Sequence, residues 1–181
     1  MLHFIYSRPL SLIVLLIVVF TALWSFCASR FTGRRWRLFS ALCAIAALFA
    51  ILYTTIFSRT PSAVTLILQP FAALAAAKVQ PEFYREMLMN MLLFFPLGLA
   101  LSHALPSGLP AWARVCITVL AGCVLSIGIE VLQYRFALGT AETDDVICNT
   151  LGALIGAASL PLSHLIQFCR ERFRKHDPDH N

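Results

Sequence analysis

Residues 38–57 pass without one charged side chain. A helix of ~20 apolar residues is long enough to cross the ~30 Å hydrocarbon core of a bilayer. Lipid offers no hydrogen bonds to an open backbone, so such a run must form a helix or join a closed barrel. Four further runs of similar character occupy residues 10–28, 87–105, 113–134 and 146–166. The chain is 59% hydrophobic and only 13% charged, against ~25% charged in a soluble domain. These features predict an all-α fold, a polytopic transmembrane helix bundle of about five spans.

The first run is long for the apolar region of a signal peptide, ~7–15 residues. It lacks a small-x-small cleavage site and is followed by Arg30, Arg34, Arg35 and Arg37. Trp24, Ser25 and Phe26 before Cys27 do not suit a lipoprotein signal, so the run reads as a retained span. Between the second and third runs lies a mixed stretch, residues 58–85, with Arg59, Pro61, Pro70, Lys78 and Pro81. Its apolar middle, residues 63–77, is short and broken by Pro70. That length fits an interfacial or re-entrant segment, or a loop packed on the membrane surface. Three regions follow: a first span with its basic loop (residues 1–37), a helical membrane domain (38–166) and a basic tail (167–181).

Basic residues orient membrane helices, because cytoplasmic loops carry the excess of Lys and Arg. With five spans, one side holds nine of the fourteen, in the Arg30–Arg37 loop, at Arg114 and in the tail; the other holds Arg8, Arg59, Lys78, Arg85 and Arg135. The N-terminus is therefore expected outside and the C-terminus in the cytoplasm. The clusters flank spans and form no aromatic-interleaved basic face, so nucleic acid is not an expected partner. The six cysteines contain no CxxC pair and read as small membrane-embedded hydrophobes, with no disulfide framework or zinc-ligand spacing.

This topology gathers the polar residues on one face. Arg59, Asn90, Glu130, Gln133, Arg135, Glu142, Asp144, Asp145 and Asn149 all fall at outer span ends or in outer loops. Six of the nine acidic residues lie there too. Ionisable groups against a bilayer are costly and mark functional sites by default. Glu130 and Gln133, three apart, share one face of the fourth span. Asp145, Asn149, Gly152 and Gly156 line one stripe of the fifth, where the glycines permit close helix approach. The fourth and fifth spans are joined by a short turn with Gly139, so Glu130 and Gln133 should meet Asp145 and Asn149 at similar depth.

Plainer roles compete for each residue. Thr143 or Asp144 can cap the fifth helix. Glu130 can pair with Arg59, Arg85 or Arg135 to hold helices together. Asn90 and Asn149 can serve as interhelical hydrogen-bond donors. His103 and His164 map to the cytoplasmic half, away from the carboxylates, so no metal or other cofactor is expected. No Ser–His pairing lies on the outer side, which argues against a serine hydrolase. What remains is carboxylate acid–base work, or an Arg/Asp/Glu site gripping a lipid phosphate or sugar headgroup.

Several stretches resemble the VanZ-like family of small bacterial membrane proteins. They are Ser58-Arg59-Thr60-Pro61, the run Asn90-Met91-Leu92-Leu93-Phe94-Phe95-Pro96-Leu97-Gly98, Glu130-x-x-Gln133 with Arg135 after it, and Asp144-Asp145-Val146-Ile147-Cys148-Asn149-Thr150-Leu151-Gly152-Ala153-Leu154-Ile155-Gly156. The resemblance covers residues 58–156. It implies a multi-pass α-helical protein of the bacterial cytoplasmic (inner) membrane, from a family whose name-giving member is associated with low-level teicoplanin resistance.

The expected function is binding of a lipid headgroup or lipoglycopeptide at the outer face, by Arg59, Asn90, Glu130, Gln133, Arg135, Asp144, Asp145 and Asn149. Expected partners are membrane lipids or lipid-linked envelope intermediates, with room for a homo-oligomer. The alternatives are an intramembrane enzyme on a lipid-linked substrate, with Glu130 or Asp145 as general base, and a small proton-coupled transporter. No internal repeat favours the transporter.

Overall fold

A computed structural model describes residues 10–31, 33–77 and 82–176. Its helices are α1 (Leu10–Arg30), α2 (Arg34–Leu52), α3 (Ala72–Ala77), α4 (Glu82–Ala104), α5 (Ala111–Arg135), α6 (Thr143–Ala157) and α7 (Ser159–His176). Two short strands, β1 (Thr65–Ile67) and β2 (Thr140–Glu142), complete the elements. The protein is an all-α membrane helix bundle. Among the described residues four helical stretches are long and apolar enough to span a membrane: Arg34–Phe57, Phe83–Ala104, Ala111–Arg135 and Thr143–Arg174. The described apolar part of α1, Val14–Arg30, is shorter.

The distribution of side chains suits lipid. Phe49 is 73% exposed and Val124 is 68% exposed, whereas Ser25, Ser40, Ser102 and Ser126 are fully buried. Several buried hydroxyls donate to carbonyls of their own helices, as Ser25 does to Thr21 and Thr118 to Arg114. Large apolar groups outside and small or polar groups between helices are what association within lipid favours. Phe94, Ile51, Ile129 and Ala153 close the apolar centre.

The tightest packing joins α4 and α6. A Cβ at Gly152 would stand 2.1 Å from the Met91 carbonyl oxygen, and one at Gly156 2.2 Å from that of Phe95. From the other side, a Cβ at Gly98 would lie 2.1 Å from the carbonyl oxygen of Ala153. The glycine stripe thus faces the third expected span, with which α6 runs parallel, and not its antiparallel neighbour α5.

The last expected run is two helices rather than one. Pro161 has no N–H to give to the Ala157 carbonyl, and the chain turns at Ala158 before α7 begins. At ~1.5 Å per residue, the 32 residues of Thr143–Arg174 exceed the ~30 Å apolar core. The surplus matches the basic end of α7. There Arg170 donates to the Ser29 carbonyl of α1 at 3.1 Å.

Residues 63–77 contain a strand that the sequence reading did not anticipate. β1 pairs with β2 in parallel register, Thr65 opposite Thr140 and Ile67 opposite Glu142. The Thr65 and Thr140 hydroxyls add a bond of 2.8 Å. This segment is tied to the α5–α6 connection, at the end of the bundle that carries the carboxylates.

Candidate functional site

Four helix ends build the site: the C-terminal ends of α2 and α5 and the N-terminal parts of α4 and α6. At the end of α2 the helix widens into one π turn, Tyr53–Phe57. The hydroxyls of Thr54 and Thr55 both bond back to the Ile51 carbonyl, a habit that distorts helices. Ser58 N–H then reaches Tyr53, and Arg59 N–H turns to Ile56 instead of Thr55. The Thr55 carbonyl is thereby released, and it accepts the Gln133 side-chain N–H at 3.0 Å. π turns recur at functional sites, and this one frees a carbonyl for a neighbouring helix.

Glu130 is buried on the same face of α5. Its Oε2 accepts the backbone N–H of Glu142 at 3.0 Å, which ties α5 to the junction of β2 and α6. Asn90 of α4 donates to Asp145 of α6 at 2.6 Å. Asn149, one turn deeper, donates to Ser126 of α5 at 2.9 Å. Asp145 and Asn149 thus reach different helices, and Gln133 reaches α2. The expected meeting of Gln133 with Asp145 or Asn149 gives way to three separate bonds, because the glycines turn the Asp145 stripe toward α4. Glu130 and Asp145 do lie within electrostatic reach of each other, and both lie within reach of Arg59.

Arg59 itself is exposed, and its guanidinium extends over Gly139. A Cβ there would come within 2.9 Å of Nη1, and Gly139 has φ +139°. The backbone conformation is what requires glycine, since the exposed Arg59 side chain could move aside.

Asp144 has a role different from capping its own helix. The residue preceding α6 is Glu142, without a side-chain cap. The buried Asp144 carboxylate accepts Phe71 N–H at 2.5 Å and Ala73 N–H at 2.7 Å. It holds the start of α3, where Phe71 adopts the left-handed φ of +63°. For a residue with a Cβ that conformation costs roughly 1–2 kcal/mol, so the two charge-assisted bonds are what stabilise the turn.

Beside Glu130 opens an apolar cavity of about 280 Å³. Leu66 and Leu68 of the β1 segment, Ile127 and Val131 of α5 and Val146 of α6 form most of its wall. Glu130, Arg135 and Glu142 supply its polar edge. Burial holds the Glu142 carboxyl above the ordinary carboxylate range, helped by the negative charges of Glu86 and Asp144. Among the described residues no group of three His, Cys, Asp or Glu is placed to hold a metal ion.

With this geometry in place, the comparisons with known proteins are informative. The VanZ/LLP1 family profile matches residues 10–164, most of the chain. The chain belongs to the VanZ/LLP1 family. Protein VanZ of Enterococcus faecium is 36% identical over 83 residues, 45% of this chain and 47% of that protein. The chain spans about half the length of that curated relative. No solved structure matches.

All eight expected site residues of this VanZ/LLP1 chain lie at one end of the bundle, in two roles. Asn90, Glu130, Gln133, Asp144, Asp145 and Asn149 are engaged in bonds between segments, and Arg59 and Arg135 stand at the exposed edge. Sequence reasoning missed two partners. Ser126 was legible, since it precedes Glu130 by one helical turn on the same face. Thr55 was not, because its carbonyl is available only through the π turn.

Proposed function

We propose that this VanZ/LLP1 protein binds an amphipathic envelope ligand, a lipid headgroup or a lipoglycopeptide, at the carboxylate end of its bundle. One observation carries the reading: an apolar cavity of about 280 Å³ lies directly against Glu130, Glu142 and Arg135. Ile127 and Val131, which line it, also face outward where lipid would be. An acyl chain can therefore enter from the bilayer while its polar head meets the carboxylates and the Arg59 and Arg135 guanidiniums. Apolar walls with few convergent polar groups are the usual make-up of such sites. In the orientation expected from the basic residues, this end faces away from the cytoplasm, where lipid-linked envelope intermediates and glycopeptides act.

The test expresses the protein in a teicoplanin-sensitive Gram-positive host, beside Glu130→Gln and Asp145→Asn at matched membrane abundance. Growth is followed in teicoplanin and in vancomycin, which lacks the lipid tail. Protection against teicoplanin alone, lost in both variants, is the expected result. Protection that survives both substitutions reduces the cluster to helix packing. No protection by the wild type against either drug rules out the lipoglycopeptide branch, and co-purifying lipids then decide the other. If the site is instead catalytic, Glu130→Gln retains ligand binding while turnover disappears.

A further inference from the structure

The opposite end of the bundle holds a second cavity, of about 240 Å³, whose character is cationic. It lies between the end of α1, the start of α2, the end of α4, the start of α5 and the first half of α7. Arg34, Arg37, His103, Arg114 and His164 line it, and no carboxylate is among its described lining residues. Arg37 and Arg114 are within electrostatic reach of each other. Like charges gathered this way repel one another unless an anion joins them.

The excess of basic residues expected on a cytoplasmic face accounts for exposed arginines such as Arg34. It does not account for Arg114, which is only 7% exposed. The Nε donors of Arg114 and Arg37 and the indole Nε1 of Trp36 are buried without a hydrogen-bond partner. A buried donor left unpaired costs ~1–3 kcal/mol, and more when charged. The three residues that carry these donors line one cavity, together with the hydroxyl-bearing Ser107. Guanidinium groups match the oxygens of a phosphate two at a time, and an indole N–H adds a neutral donor. A water's share of liquid volume is ~30 Å³, so the cavity has room for a phosphate group and a small substituent.

We propose that this cavity is a phosphate-binding site, with Arg37, Arg114 and Trp36 as its principal donors. The phosphate belongs either to a lipid headgroup or to a small soluble phosphate compound. The site is separate from the carboxylate end and does not depend on the ligand proposed there.

The full chain, in nonionic detergent and phosphate-free buffer, is titrated with inorganic phosphate while tryptophan fluorescence is followed. Potassium chloride at matched ionic strength is the reference. A second arm places the chain in phosphatidylcholine nanodiscs with and without phosphatidic acid. A saturable response to phosphate in detergent identifies a soluble phosphate as sufficient. A response confined to discs with phosphatidic acid identifies the lipid headgroup. In the responding arm, Arg37→Gln and Arg114→Gln bind about tenfold more weakly, while Arg172→Gln on the tail is unchanged. Size-exclusion chromatography confirms each variant as folded, and if Arg114→Gln does not fold, Arg37→Gln decides. No saturable response in either arm, or equal responses from Arg37→Gln and wild type, overturns the proposal.

Discussion

Glu142 shows how one side chain is set by its surroundings. It precedes α6, outside the spans, and its backbone N–H serves Glu130 while its own carboxyl is half-buried among Glu86 and Asp144. Burial raises that carboxyl above its ordinary 4.5, and the neighbouring negative charges add to the shift. The folded protein therefore holds this proton more tightly than the unfolded chain. Its contribution to stability is full below the ordinary carboxylate range and is lost as pH rises through the folded value. Glu142→Gln keeps the backbone bond and removes the charge. It should raise the melting temperature at neutral pH, and the gain should vanish in acid below the ordinary carboxylate range. Thermal unfolding in detergent at the two pH values checks this; a gain that persists unchanged in acid contradicts it. Gln133 teaches the converse lesson. Its position on α5 was legible, yet its bond to Thr55 depends on which carbonyl the π turn leaves free.

At the scale of elements, glycines decide which helices meet. Asp145, Asn149, Gly152 and Gly156 do form one stripe, as their spacing requires. That α4 packs on the glycine part of the stripe, while Asn149 reaches α5, follows from backbone approach, since Gly98, Gly152 and Gly156 each leave room for a carbonyl on the facing helix. Gly152→Ala would drive a Cβ to 2.1 Å from the Met91 carbonyl oxygen, and backbone cannot rotate away as a side chain can. A loss of at least about 1–3 kcal/mol is expected, with Asn90 drawn off Asp145. Gly128, in α5, has nothing within 4 Å of its would-be Cβ. Gly128→Ala should be neutral or gain up to ~1 kcal/mol from helix propensity. Melting temperatures of the two variants, side by side, settle the matter; equal losses would contradict the close-packing account. The β1–β2 pair is the other element-scale lesson. Three exposed residues, Thr65–Ile67, carry no alternation that marks a strand, and only the α5–α6 connection beside them makes one.

The whole molecule has two chemically unlike ends. Carboxylates, a π turn and an apolar cavity occupy one, while arginines, histidines and a second cavity occupy the other. The basic excess predicts that the arginine end faces the cytoplasm. A C-terminal green fluorescent protein fusion should therefore fluoresce, and a C-terminal alkaline phosphatase fusion should be inactive; the reverse result would invert the molecule. The all-α membrane class and the stripe of polar residues on α6 were legible in the sequence, because lipid forces the backbone to satisfy itself and period and length then leave few choices. The sequence also brought the eight expected site residues to one end, since alternating spans must place successive ends on alternate faces. Tertiary structure alone decided the partners: Asn90 for Asp145, Ser126 for Asn149, Thr55 for Gln133, and the start of α3 for Asp144. Spacing along one helix fixes a direction for each side chain, but which neighbour lies in that direction depends on how closely two backbones can approach. That distance is a property of the packed bundle.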